Sequence, residues 1–242
     1  MNLFWDEAVP FISIFTGHHL FYIAMMLILL LLMITRDKKI KRHADKISRW
    51  ILVISLGQQF LLYCWYLFEM GFDVSESLPF HISRISSLLG IVYLITKKNK
   101  VLNVLFYFGL FAYGSFFYPS RVYPAYHVIG ISFFINHAIT ILLPIFAAIA
   151  YEWRPTLTGA VKAYGWFLIY FSFVYTVNPL INGNYFYLKY RPFFIHLNEY
   201  LYIPLVLLAT LGIFLLGYLL ARLIIRLVSS KGKSIISEER KT

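Results

Sequence analysis

Charge is scarce in this chain. Only 14% of its 242 residues are Asp, Glu, Lys or Arg, against about a quarter in soluble domains. With 60% hydrophobic residues and a mean hydropathy of +0.70, this excludes an ordinary soluble domain and predicts an integral membrane protein. Cysteine is nearly absent as well, since Cys64 stands alone inside an apolar run. An intramolecular disulfide and a CxxC metal motif are thereby excluded, and the lone thiol reads as a small hydrophobe. Acid is scarcer than base, with 11 acidic against 22 basic residues and a net charge of +11. That excess does not imply nucleic acid, because the basic residues cluster between apolar runs and face an anionic leaflet. No ten-residue alternation of a membrane barrel occurs, nor an internal repeat of the kind that marks inverted-repeat transporters. The acidic N-terminus, MNLFWDEAVPF, has no small-residue cleavage site after the first long apolar run. That run is expected to stay in the mature protein.

What is abundant is apolar sequence in lengths suited to a bilayer. A helix needs about 20 mainly apolar residues to cross the hydrocarbon core. Segments at roughly 18–35, 49–69, 79–96, 101–118, 127–150, 159–178 and 201–227 qualify. Helices are expected, because a backbone in lipid must satisfy its own hydrogen bonds. Basic residues between the first two spans (Arg36 to Arg49), after the third (Lys97, Lys98, Lys100), after the fifth (Arg154, Lys162) and from Arg222 onward share one side. Only Arg121, Lys189 and Arg191 lie opposite, and Arg84 is inside a span. The fold expected is an all-α, seven-span transmembrane bundle, with the N-terminus outside and the C-terminus inside. It forms a single integral membrane domain over 1–242, ending in a cytoplasmic basic tail at 228–242.

Polar groups within these spans are placed unevenly. Charged and polar side chains in lipid normally face a bundle interior or a water-filled cavity. Here His18 and His19, Glu69, His81, Ser83 and Arg84, His127, Asn136 and His137, and Asn178 all fall in the outer halves of their spans. A polar cavity open to the outer leaflet would gather them. His81 and Arg84 stand about 5 Å apart along one helix face, and His137 lies about 15 Å deep. Arg84 has two readings: a clamp paired with Glu69, Asp73 or Glu76, or a binder of anionic lipid heads. No HExxH motif is present, and the adjacent His18 and His19 cannot put both rings on one helical face. Nothing in the spacing demands a metal site.

Nucleophilic catalysis fits the inventory better. A serine needs a neighbouring base to become reactive, most often a histidine. Ser83 or Ser86 on the third span with His137 on the fifth would supply that pair, and His81 would orient one of them. Arg84 or Asn136 would then stabilise an oxyanion or hold a phosphate. Such chemistry requires no cofactor. The same cavity could instead hold a lipid head group without changing it, as in a lipid-binding or transport protein. A receptor for a small outer ligand would share only the span count and topology.

Three stretches, LPFHISRISSLLG, INHAITILLPIF and NGNYFYLKYRP, resemble in order and spacing the signature regions of the YwaF-like family of bacterial membrane proteins. That family is similar to the vertebrate transmembrane protein 164 family, whose members move fatty acyl chains between phospholipids using a cysteine and a histidine. The resemblance implies a membrane phospholipid partner and a lysophospholipid or fatty acyl substrate, and points to no known protein partner. It matches His137 to the catalytic histidine and gives Asn184, Tyr185 and Pro192 site-lining or structural places. The vertebrate cysteine directly precedes the third-span histidine, a place held here by Phe80. In bacterial relatives it follows that histidine by two residues, where this chain has Ser83.

Overall fold

A computed structural model describes residues 2–239, with side chains through Ile225. Among the described residues the chain is all-helical. The helices are α1 (Gly17–Thr35), α2 (Asp37–Arg42), α3 (Ala44–Phe68), α4 (Val74–Ser77), α5 (Ile82–Thr96), α6 (Asn99–Phe117), α7 (Val128–Ala150), α8 (Leu157–Ile181) and α9 (Glu199–Glu239). A 3-10 turn at Tyr185–Tyr187 precedes α9. The side chains of the basic tail expected at 228–242 lie outside the described residues.

Among the described residues, six helices are long and apolar enough to cross a membrane: α1, α3, α6, α7, α8 and the Glu199–Ile225 part of α9. The chain is thus a multi-pass membrane protein. The third of the seven expected spans differs. It is the 15-residue α5, about 22 Å long at 1.5 Å per residue, short of the ~30 Å hydrocarbon core. His81 caps its start in an extended conformation and Lys97 ends it in the left-handed region, with φ 55°.

The loops form two layers. In one, the N-terminal segment lies across the bundle end, held mostly through its backbone. Trp65 Nε1 donates to Trp5 O (2.6 Å), Tyr123 Oη to Glu7 O (3.0 Å) and the Val128 amide to Phe4 O (2.8 Å). Val9 packs beneath it among Leu62, Trp65, Tyr66 and Tyr123. In the other, basic layer, Lys97 bonds Ser48 and lies over the Tyr151 ring, Tyr151 Oη donates to Asp45 (3.2 Å), and Lys41 faces Glu152 at 4.0 Å. Helix α5 starts in the first layer and ends in the second.

Helix α7 is the central element, packed against α1, α2, α3, α5 and α6. Lipid tails give no hydrophobic drive between helices, so close packing and buried polar bonds must hold them. Both are present. Gly109 on α6 lets Thr140 of α7 approach until an added Cβ would sit 3.1 Å from Thr140 Cγ2. Gln58 on α3 donates to Ser132 Oγ on α7 (2.6 Å), while Gln59 bridges Gln58 Oε1 and Ser87 Oγ on α5, both at 2.9 Å. An aromatic cluster including Tyr107, Phe108, Phe167, Tyr170 and Phe214 joins α6, α8 and α9.

Candidate active site

A cavity of about 360 Å³ opens at the N-terminal layer, walled by α3, α5 and α7 and partly covered by Glu7 and Phe11. Of the residues singled out in the sequence, His81, Ser83, Arg84, Asn136, His137 and Asn184 line it. Tyr185 does not. It is fully buried beside the cavity, with its ring 4.8 Å from His81 and its hydroxyl donating to Val74 O at 2.9 Å.

The two histidines of the cavity are oriented differently. His137 Nδ1 is 2.8 Å from Phe133 O, one helical turn back. A carbonyl oxygen can only accept, so Nδ1 carries the proton and Nε2 presents a lone pair. No other hydrogen bond occupies that nitrogen among the described residues. The ring is wedged against Phe133 (centroids 4.1 Å) and edge-on to Phe116 (6.0 Å). His81 Nε2 instead donates to Glu76 Oε1 at 3.2 Å. By contrast, backbone groups consume both ring nitrogens of His19 (Phe116 O and the Phe15 amide) and of His127 (Asp6 O and the Ile129 amide). Those two residues are structural.

Arg84 is a clamp. Its guanidinium donates to Glu76 O (2.6 Å) and Leu78 O (2.9 Å), reaches Tyr66 Oη, and lies 3.5 Å from Glu76 Oε1. Of the three acids offered by the sequence, Glu76 is its partner. Burial pushes the Glu76 carboxyl up, but the His81 hydrogen bond and the charges of His81, Arg84 and Arg121 outweigh it. The carboxyl lies below its ordinary value. Arg121, also in the lining, forms no salt bridge among the described residues.

On α7, Asn136 is buried with Oδ1 unpartnered, while its Nδ2 reaches Ser83 O at 3.4 Å. That contact puts the start of α5 against the middle of α7. The Ser83 hydroxyl makes no hydrogen bond among the described residues, whereas Ser86 Oγ is spent on Ile82 O at 2.8 Å. Phe80 turns out of the cavity, into Phe173 (4.8 Å) and Tyr185 (5.3 Å).

The loop after α8 is tied by Asn178, whose side chain holds both the Tyr185 amide and carbonyl at 2.9 Å. Gly183 makes that turn possible, since a Cβ there would meet the Tyr185 ring at 3.0 Å and Asn178 Oδ1 at 3.1 Å. Asn184 then accepts from the Lys189 and Tyr190 amides while still facing the cavity.

The TMEM164 family model matches residues 13–221. The chain belongs to the TMEM164 family. No curated protein and no solved structure matches it. For this TMEM164 family member, all three resembling stretches fall within the matched region. Two of them, around Ser83 and His137, meet across the cavity, and the third folds over its edge. Sequence reasoning missed the cavity's uncharged polar wall (Gln58, Ser132), the place of Arg121 in its lining and its N-terminal cover. Glutamines in an apolar helix were the available signal for the first of these. Among the described residues no group of three His, Cys, Asp or Glu side chains could hold a metal ion.

Proposed function

We propose that this protein transfers or hydrolyses phospholipid acyl chains in the cavity, with His137 as general base and Ser83 as nucleophile. The observation that carries the reading is the free Nε2 of His137, its tautomer set by Phe133 O, in one cavity with an unbonded Ser83 hydroxyl. Ser83 Oγ attacks the ester carbonyl as its proton passes to His137 Nε2. The carbonyl carbon becomes tetrahedral, and the developing oxyanion is met by Asn136 Nδ2. Collapse breaks the ester C–O bond, and His137 returns the proton to the leaving lysophospholipid oxygen. Attack on the acyl-serine by a second lysophospholipid hydroxyl gives transfer, and attack by water gives a free fatty acid. Arg121 pairs with the substrate phosphate at the cavity mouth, while Arg84, Glu76 and His81 hold the start of α5 in place. Asn184 lines the edge and Tyr185 supports it.

The topology proposed with this function has seven crossings in one integral domain, α5 included, in the cell membrane, with the cavity outside and the C-terminus inside. The YwaF-like bacterial branch of the family is proposed as the group this chain falls in. A rival reading, a lipid-binding or transport protein that leaves the head group unchanged, is favoured by Phe80. That residue occupies the vertebrate cysteine's place and is packed away from the cavity.

The test is acyl transfer in lipid nanodiscs, with isotope-labelled phosphatidylglycerol and a panel of lysophospholipids. Wild type should label the lyso acceptor or release free fatty acid, and His137→Ala should lower the rate by about 10²-fold or more. No product from wild type, or equal rates in the folded variant, would overturn the catalytic reading in favour of its rival.

A further inference from the structure

On the face of α7 turned away from the cavity lies a second, larger concavity of about 750 Å³. Its walls come from α1, α3 and α7 and are almost wholly apolar, Leu32, Ile51, Ile54, Ile139 and Leu142 among them. Along α7 it runs from Phe134 to Phe146, about 18 Å at 1.5 Å per residue, somewhat more than half of the ~30 Å hydrocarbon core. It ends at the basic layer, where Arg36, Lys39, His43 and Lys46 form its rim. The acids nearby are engaged elsewhere. Asp37 accepts from the Lys38 amide, Asp45 accepts from Tyr151 Oη, and Glu152 faces Lys41. Arg36, Lys39 and Lys46 form no salt bridge among the described residues.

We infer that this groove binds one anionic phospholipid from the leaflet on the basic side, with an acyl chain along α7 and its phosphate against Arg36, Lys39 and Lys46. Both halves of the site match that ligand. The trough is about one leaflet deep and apolar, and its charged end carries three basic residues that form no salt bridge among the described residues. A flat helix face in lipid exchanges its neighbours freely. A trough walled by three helices with cations at its mouth selects by head-group charge. The site is separate from the polar cavity and does not depend on acyl transfer there. It gives α1, little of which is buried within the protein, a bound ligand to pack against.

Trp50 stands on the groove wall and is 60% exposed, while Trp166 on α8 is 57% exposed and outside it. Each fluorescence contribution is obtained by difference, from Trp50→Phe and Trp166→Phe. The full chain is placed in phosphatidylcholine vesicles in which brominated phosphatidylglycerol or brominated phosphatidylcholine is raised over the same range of mole fraction. Trp50 should be quenched at a mole fraction of the anionic lipid at least about fivefold lower than of the neutral one, the factor one basic residue at a membrane surface supplies. Trp166 should not distinguish the two lipids. The triple change Arg36→Gln, Lys39→Gln, Lys46→Gln should abolish the Trp50 preference with the circular dichroism unchanged. Equal quenching of Trp50 by both lipids would overturn the inference. So would a preference of the same size at Trp166, which reports surface charge alone, or one that survives the triple change. The comparison of the two tryptophans in the native chain stands even where the triple variant fails to fold.

Discussion

Gly130 offers a test of how α7 is seated. It lies in the first turn of the helix that carries Ser132, Asn136 and His137, where that helix passes under the loop before it. A Cβ built there would fall 2.0 Å from Pro124 O, 2.8 Å from Pro124 C and 2.5 Å from Tyr22 Oη. Carbon and oxygen ordinarily approach to ~3.3 Å, so the overlap with the carbonyl exceeds an ångström. The obstacle is backbone, and that backbone is pinned: Tyr22 Oη donates to Tyr123 O at 3.0 Å, and the His127 amide to Pro124 O at 3.0 Å. Gly130→Ala must therefore lift the start of α7 off α1 or break this loop. Overpacking on a fixed neighbour costs about 3 kcal/mol, which in a chain of this size lowers the melting temperature by about 10 °C. The assay is thermal unfolding of the purified protein in detergent, followed by intrinsic fluorescence. Gly57→Ala on α3 is the internal control, because nothing lies within 4 Å of its would-be Cβ. Removing a helical glycine there should cost nothing and gain up to ~1 kcal/mol. A Gly130→Ala protein melting within about 2 °C of wild type, less than 1 kcal/mol at this size, would refute the packing described for α7.

Three further outcomes follow from the site. Glu76→Gln leaves Arg84 and His81 without their carboxylate and should destabilise the protein by about 1–2 kcal/mol, less than a fully buried pair because the Glu76 side chain is 30% exposed. The Glu76 carboxyl sits below its ordinary 4.5, so its contribution is complete above that pH and is lost as pH falls through the lower folded value. Wild type should therefore lose melting temperature more steeply than Glu76→Gln on acidification below pH 4.5. Asn178→Ala strands the buried Tyr185 amide and carbonyl and should cost about 2–4 kcal/mol, seen as a lower melting point and faster proteolysis between residues 182 and 198. Ser83→Ala should abolish acyl transfer while Ser86→Ala preserves it, since the Ser86 hydroxyl already serves Ile82 O; the opposite result in the same assay would remove Ser83 from the mechanism.

The polar cavity was legible in the sequence because lipid leaves polar side chains one place to go. His81, Ser83, Arg84, Asn136 and His137 sit in apolar runs, and the cost of exposing them to hydrocarbon turns them inward. Other features carried no such signal. The N-terminal cover is held by Phe4 O, Trp5 O and Glu7 O, and backbone acceptors are the same in every sequence. The choice of Glu76 over Glu69 and Asp73 as the Arg84 partner depends on the path of a loop, with α4 turning Glu76 back over the start of α5. The 15-residue length of α5 follows from that same loop. The residues from 79 to His81, apolar enough to read as span, are instead held in the loop layer, where Tyr170 Oη donates to Phe80 O and His81 Nε2 to Glu76.

One helix shows both the reach and the limit of periodicity. On α7, Ile129, Ser132, Phe133, Asn136 and His137 line the cavity, while Phe134, Ile135, Ala138, Ile139 and Leu142 line the apolar groove. At ~100° per residue the two sets centre on roughly opposite sides of the helix, so the division is written in the order of the residues. Asn136 and His137, ~100° apart, nevertheless reach the same space, because the cavity wraps around α7 toward α5 on one side and toward Phe116 of α6 on the other. Helical spacing predicts direction but not the width of the space met in that direction, which the neighbouring helices set. Depth along the helix singles out His137 among the histidines, but not the state of its ring nitrogens. His137 stands out from His19 and His127 through one unused nitrogen, and that difference arises from which backbone carbonyls and amides the fold brings to each ring.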